Sequence, residues 1–176
     1  MRSFNILKIR TPVSDDDVRR LQVGNRIEIY GKIFTGRDAV LPILRSWIEG
    51  GELDRKLSVS LNGAVIMHAG FSVAGFGPTT SNKEAIERSI PALASAGVKI
   101  HIGKGSLSEE TVKALKDFNS IFAVTPPVTA LLMNTVKSKR IVAFENEGME
   151  AMHELEVEGL PAIVAIAHGE SIFKVK

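Results

Sequence analysis

The apolar positions along this chain switch between two spacings. Ile27, Ile29 and Ile33 alternate with Arg26, Glu28, Tyr30 and Lys32, and a period of two marks one face of a half-buried strand. Leu41, Leu44, Trp47 and Ile48 instead fall on one side of a helix that Gly50-Gly51 stops. Pro42 suits the first turn of that helix, where its missing N–H is not needed. Upstream, Phe4 to Ile9 reads as a strand, and Ser14 with Asp17 opens a helix carrying Val18 and Leu21.

Further along, apolar runs at Leu57–Leu61 and Ala64–Ala69 flank Asn62-Gly63, a pattern that predicts a hairpin. Gly70 to Gly77 is a glycine-rich loop. Ser81 with Glu84 predicts a capping box for a helix through Ile86, Ile90 and Leu93 that ends at Gly97. Next come a strand at Val98–Ile102, the turn Gly103-Lys104-Gly105, a helix through Val112, Leu115 and Phe118, and a strand at Ile121–Val124. After Pro126-Pro127 the spacing predicts a helix through Leu131, Leu132 and Val136, a strand at Ile141–Phe144 and a short helix at Met149–Leu155. Ile163–Ile166 and Ile172–Val175 are expected to pair across His168-Gly169. Strands alternating with helices predict an α/β fold with a parallel core and antiparallel hairpins at its ends. No linker interrupts the pattern, so residues 1–176 are expected to form a single domain.

Composition narrows the possibilities. Of 176 residues 44% are hydrophobic and 24% charged, enough for an ordinary core and unlike a disordered chain. The net charge is +2 with the basic residues scattered, which leaves no nucleic-acid footprint. The one basic cluster, Lys137-Ser138-Lys139-Arg140, reads as a solvated helix end rather than a polyanion site. There is no cysteine, which excludes disulfides, a cysteine nucleophile and thiolate ligation of an iron–sulfur cluster from this chain. Met1 to Ile6 show no apolar leader, and the longest apolar run, Leu160 to Ala167, is too short to span a bilayer. The expectation is a soluble cytoplasmic protein with neither a nucleic-acid nor a membrane partner.

Three loops follow strands and precede helices: Thr35-Gly36-Arg37-Asp38, Gly77-Pro78-Thr79-Thr80-Ser81 and Gly103-Lys104-Gly105. Ligands of open α/β sheets bind beyond the carboxyl ends of strands. Arg37, Lys83 and Lys104 with the nearby hydroxyls would suit a small dianion, Arg through its planar fork and Lys as a point charge. Each loop also has a plain structural role as surface pair, cap or solvated turn. Gly103-Lys104-Gly105-Ser106 lacks the first glycine of a phosphate loop, since Val98 stands there. His68, His101, His153 and His168 show no metal-ligand spacing, and His101 reads as a core histidine. No metal site and no Ser–His–Asp triad is legible.

Taken in order, these loops resemble the C-terminal domain or β subunit of class I fumarases and L-tartrate dehydratases. The segments that carry the resemblance are Leu21–Asn25, Gly31–Ala39, Asn62–Gly70, Gly77–Ser81, Ile102–Gly105, Glu147-Gly148-Met149-Glu150-Ala151, Leu155–Glu158 and Pro161–Ala165. The resemblance implies a swivelling β/β/α domain, a mixed sheet with a parallel core and flanking helices. It implies a hetero-oligomer with a cysteine-bearing α subunit that holds a [4Fe–4S] cluster, and hydration of fumarate to L-malate. Arg37 and Lys104, with Lys83, would bind carboxylate, and Thr79 would be the base, with Thr80 as the alternative. Lys83 stands where family members usually carry Arg, and Leu41 where they usually carry His. A tartrate or mesaconate hydro-lyase subunit, or a non-catalytic dicarboxylate-binding or assembly module, are the other readings.

Overall fold

The computed structural model describes residues 5–78 and 82–173. The elements are β1 (Ile6–Arg10), α1 (Asp15–Arg20), β2 (Arg26–Thr35), α2 (Leu41–Glu49), α3 (Leu53–Lys56), β3 (Val65–Met67), β4 (Phe71–Ser72), β5 (Gly75–Phe76), α4 (Lys83–Ser95), β6 (Ile100–Ile102), α5 (Glu109–Asp117), β7 (Ile121–Val124), α6 (Thr129–Met133) and β8 (Val136–Ala143). A 3-10 turn at Glu145–Glu150, then β9 (Met152–Ala167) and β10 (Glu170–Ser171) complete the order.

The strands β1, β2, β3, β6 and β7 lie side by side and pair in parallel. The long strand β9 runs antiparallel to both β2 and β7, so it joins the two ends of the β2-β3-β6-β7 run. This mixed sheet with a parallel core and flanking helices is the architecture expected. Ile29, Ile33, Met67, Ile102, Leu155 and Leu160 pack into one core inside the sheet. A second cluster, with Leu41, Leu44, Ile66, Ile86 and Leu93, lies under α2 and α4. Successive residues of a strand point to opposite faces, and here both faces are covered. That is why β3 reads as an unbroken apolar run.

Several expectations need correction. No hairpin forms at Asn62-Gly63: residues 57–61 are irregular, and β3 is flanked on both sides by parallel partners. Leu57 and Leu61 bury one by one against the α2 side instead of alternating along a strand. The glycine-rich stretch holds a small hairpin, β4 with β5. The helix after Pro127 ends at Met133, so Val136 and the Lys137–Arg140 cluster belong to β8, not to a helix end. The cluster's charges are answered across the strand pair: Arg140 donates to both oxygens of Glu154 at 2.8 and 3.1 Å, and Lys137 lies 3.4 Å from Glu158.

The predicted helix at Met149–Leu155 is also absent, because Met152 already begins the 16-residue β9. Leu155 and Val157 face the core at odd positions, but beyond Gly159 the core set becomes Leu160, Ala162 and Val164. Gly159 is the extra residue of a bulge between the pairs Ile29–Leu160 and Tyr30–Glu158, and its φ is +73°. Glycine adopts that backbone without a Cβ penalty. One inserted residue therefore flips the strand's parity and hides its period of two. Of the caps, Ser14–Asp17 forms the expected box. For α4 the cap is Asn82, whose side chain accepts from Ala85 N at 3.1 Å, while Ser81 lies outside the described residues. Phe4 and residues 174–176 lie outside them too; β1 covers the rest of the first expected strand, whereas β10 is Glu170–Ser171, ahead of the expected Ile172–Val175, and Ile172 and Phe173 are in no strand. The turn at His168-Gly169 joins β9 to β10 as expected. No helix among the described residues is long and apolar enough to cross a membrane.

Burial predicts how strand β9 responds to truncation. Leu155 is fully buried, whereas Ile141 on β8 is 43% exposed. Leu155→Ala should lower unfolding free energy by about 2–5 kcal/mol, and Ile141→Ala by less than about 1 kcal/mol. Chemical denaturation of both variants checks this, and equal losses would contradict the placement of Leu155.

Candidate anion site

Parallel pairing sets the site's geometry. Thr35 pairs with Met67, Met67 with Ile102 and Ile102 with Ala123, a level row across four strands. The ladder continues one residue further, as Gly36 N donates to Met67 O, His68 N to Ile102 O and Gly103 N to Ala123 O at 2.8–3.1 Å. Arg37 and Lys104 each stand two residues beyond this row. They line one solvent-open cavity of about 390 Å³ together with Gly70, Pro78, Pro127 and Met149. Its size falls within the roughly 300–1,000 Å³ usual for small-molecule sites. No carboxylate is among its lining residues.

The three sequence-predicted cations are not equivalent. Lys104 is exposed and forms no ion pair with a described residue. Lys83, at the start of α4, lines a smaller recess with Lys104, His68 and Glu87 rather than the main cavity. Its ammonium lies 3.8 Å from where a Cβ at Gly105 would be. Arg37 is tied to Glu150: its Nε donates to Oε1 at 2.8 Å and its Nη2 donates to the same oxygen, while Ala39 N donates to Oε2 at 2.9 Å. Burial raises the Glu150 carboxyl, but the hydrogen bonds from Arg37 and Ala39 outweigh it and hold it below the usual carboxylate value. Thr79, with Thr80, lies outside the described residues; its neighbour Pro78 lines the cavity.

Glu150 escaped the sequence reading as a site residue because it sits 113 positions from Arg37. It was visible only as one letter of Glu147-Gly148-Met149-Glu150-Ala151, and nothing local links that segment to the Arg37 loop. Gly103 is required for a different reason. A Cβ there would come within 2.9 Å of His68 Nδ1 and of the Phe122 ring, so only glycine lets the Lys104 loop settle on the strands below. Beneath that loop His68 and His101 meet edge to face, ring centroids 5.6 Å apart. Both are buried, and His68 Nε2 and both His101 ring nitrogens have no hydrogen-bond partner among the described residues. The core histidine expected at His101 is thus found. No group of His, Cys, Asp and Glu among the described residues could hold a metal ion.

The fold and the site define an α/β domain whose parallel strands end, at their carboxyl side, in a cavity lined by two cations, Arg37 and Lys104. The particular lineage follows from comparison: the Fumarase C-terminus family matches residues 2–176, and the chain belongs to that family. A Methanocaldococcus jannaschii protein provisionally named L(+)-tartrate dehydratase subunit beta is 36% identical over 90% of this chain and 86% of its own length. The L(+)-tartrate dehydratase subunit beta of Escherichia coli (strain K12) is 30% identical over 93% of this chain and 85% of its own. A Geobacillus stearothermophilus protein provisionally named fumarate hydratase class I is 27% identical over 95% of this chain, which spans 33% of that longer protein.

The buried histidines make stability depend on pH. Burial pushes His68 down to about 4 and His101 well below its usual value. The unfolded chain takes up protons near pH 6.5, and the native state refuses them until far lower. Stability from these groups is therefore constant above about pH 6.5 and falls as pH drops towards 4, by up to about 1.4 kcal/mol per pH unit for each histidine. Urea denaturation at pH 7 and pH 5 should show this loss, and His101→Leu should reduce it. An unchanged slope in that variant would show that His101 is not held neutral.

Proposed function

We propose that this chain is the β subunit of a hydro-lyase of the fumarase and L-tartrate dehydratase type, acting on a small dicarboxylate. One observation carries the reading: Arg37 and Lys104 stand level beyond the ends of β2 and β6, the two strands that flank β3, and face one cavity without acidic lining. Reversible hydration of fumarate to L-malate is the leading reaction. L(+)-tartrate is the second reading, favoured because the relatives of matching length carry that name.

Removing a proton beside a carboxylate builds negative charge on that carboxylate, and fixed cations aimed at it lower the barrier. Arg37 is proposed to hold one carboxylate and Lys104 the other, with Lys83 adding positive charge behind Lys104. Thr79 is the proposed base. A hydroxyl serves as a base only when neighbouring positive charge lowers its pKa, and Lys104 and Lys83 are the charges proposed to do this. A [4Fe–4S] cluster does not fit this chain as a ligand set, since it contains no cysteine. The proposed holder is a cysteine-bearing α subunit in a cytoplasmic hetero-oligomer, and residues 1–176 are its partner as one domain.

The purified chain should be inactive on fumarate, L-malate and L(+)-tartrate, and an anaerobically reconstituted pair should turn over at least one of them. Activity of the chain alone would sink the proposal. In the pair, Lys104→Ala and Arg37→Ala should each lower kcat/KM by about 2–4 kcal/mol of transition-state stabilisation. Their melting temperatures should differ. Lys104 is exposed and its loss should be nearly silent, whereas removing Arg37 strands the Glu150 carboxylate at a cost of about 1–3 kcal/mol. Full kcat/KM in either variant would remove that residue from the site. Thr79→Ala should abolish kcat and leave dicarboxylate affinity largely intact. A variant that keeps kcat would remove Thr79 from the chemistry.

A further inference from the structure

Glu150 touches the site without lining it. Both of its oxygens are engaged, Oε1 by the Nε and Nη2 groups of Arg37 and Oε2 by Ala39 N, just before α2. The segment that delivers it is pinned at both ends to the elements that flank the Arg37 loop. At one end Phe144 stacks on Trp47 of α2, centroids 5.0 Å apart. At the other, His153 Nδ1 donates to Ala151 O at 2.8 Å, and His153 N donates to Thr35 Oγ1 at 3.2 Å, at the end of β2. Gly70 closes the third side, since a Cβ there would lie 3.0 Å from Met149 O and 4.0 Å from the Arg37 guanidinium carbon. The carboxylate is thus placed by the fold, and it holds the side edge of a planar fork.

We propose that Glu150 is a positioning residue, which fixes the rotation of the Arg37 guanidinium so that it meets a ligand carboxylate in the cavity. This rests on the dicarboxylate reading of the site. A carboxylate held on its second oxygen by a backbone N–H is anchored, and it is not a stand-in that the ligand displaces. Misplacing a binding group by about 1 Å can cost as much as about a hundredfold in rate or affinity.

The test compares wild type, Arg37→Ala, Glu150→Gln, Glu150→Ala and the Arg37→Ala/Glu150→Ala double variant in the reconstituted pair. Glu150→Ala should raise KM about tenfold or more while kcat stays within about threefold, and it should add nothing once Arg37 is gone. Glu150→Gln, which keeps the shape and one acceptor, should recover part of the loss. Unchanged or lowered KM in Glu150→Ala, or an effect that adds fully to that of Arg37→Ala, would overturn the proposal, a lowered KM by making Glu150 a competitor. A second arm reads the Arg37 Nε–H resonance of the full chain alone by NMR. It should exchange slowly with solvent in wild type and rapidly in Glu150→Ala, and equal exchange would overturn the proposal. Inactivity of the wild-type pair on every dicarboxylate would instead sink the functional reading and leave the NMR arm to decide this one.

Discussion

Three parallel pairings, Thr35 with Met67, Met67 with Ile102 and Ile102 with Ala123, set the height at which four chain segments leave the sheet. A parallel neighbour leaves its strand in the same direction, so all four exits open on one side. Residues far apart in sequence then become neighbours at a common level, and a one-residue slip in either pairing beside β3 would turn a cation from the cavity to the opposite face. Strand β9 maintains the arrangement by pairing with both β2 and β7. The tight seat of Gly103 on His68 and Phe122 shows the same constraint at atomic scale, because the loop carrying Lys104 has no room for a side chain beneath it.

What was legible in the sequence followed how locally each feature is determined. The period of two in β2 and the helical stripes of α2 and α4 depend on neighbours within a few residues, and they read correctly. The loops bearing Arg37 and Lys104 follow from where those elements stop. The misread parts depend on distant pairings. In β9 the bulge at Gly159 breaks the alternation, and β8 looks helical because its exposed Lys137 and Arg140 owe their place to Glu158 and Glu154 across the ladder, and Lys139 to the Phe71 ring. At Asn62-Gly63 a strong local turn signal lost to a sheet with no free edge beside β3.

The candidate site divides along the same line. Arg37 and Lys104 could be picked out because a cation at a strand end has a local context. Their meeting in one cavity required the parallel register. Glu150 had no such context, since its partner is Arg37 at a separation of 113 residues and the 3-10 turn that carries it is defined by Phe144 on Trp47 and by Ala151 under His153.

The positions of the acids give the site its charge logic. Glu150 engages Arg37 from outside the cavity, and Glu87 faces Lys83 from the α4 side, where Ser108 N and Thr111 Oγ1 also donate to it. Both counter-charges stand behind the cations, not between them and the cavity. Arg37 and Lys83 can thus sit near Lys104 without a large uncompensated field, while no carboxylate lines the cavity. Lys104 forms no ion pair with a described carboxylate, although Glu87 lines the same recess. In the proposed reading, such a site would select an anion by where its donors point more than by net attraction. Salt, which screens exposed charges beyond about 8–10 Å, would weaken long-range capture of the anion more than the grip of donors placed by the strand ends.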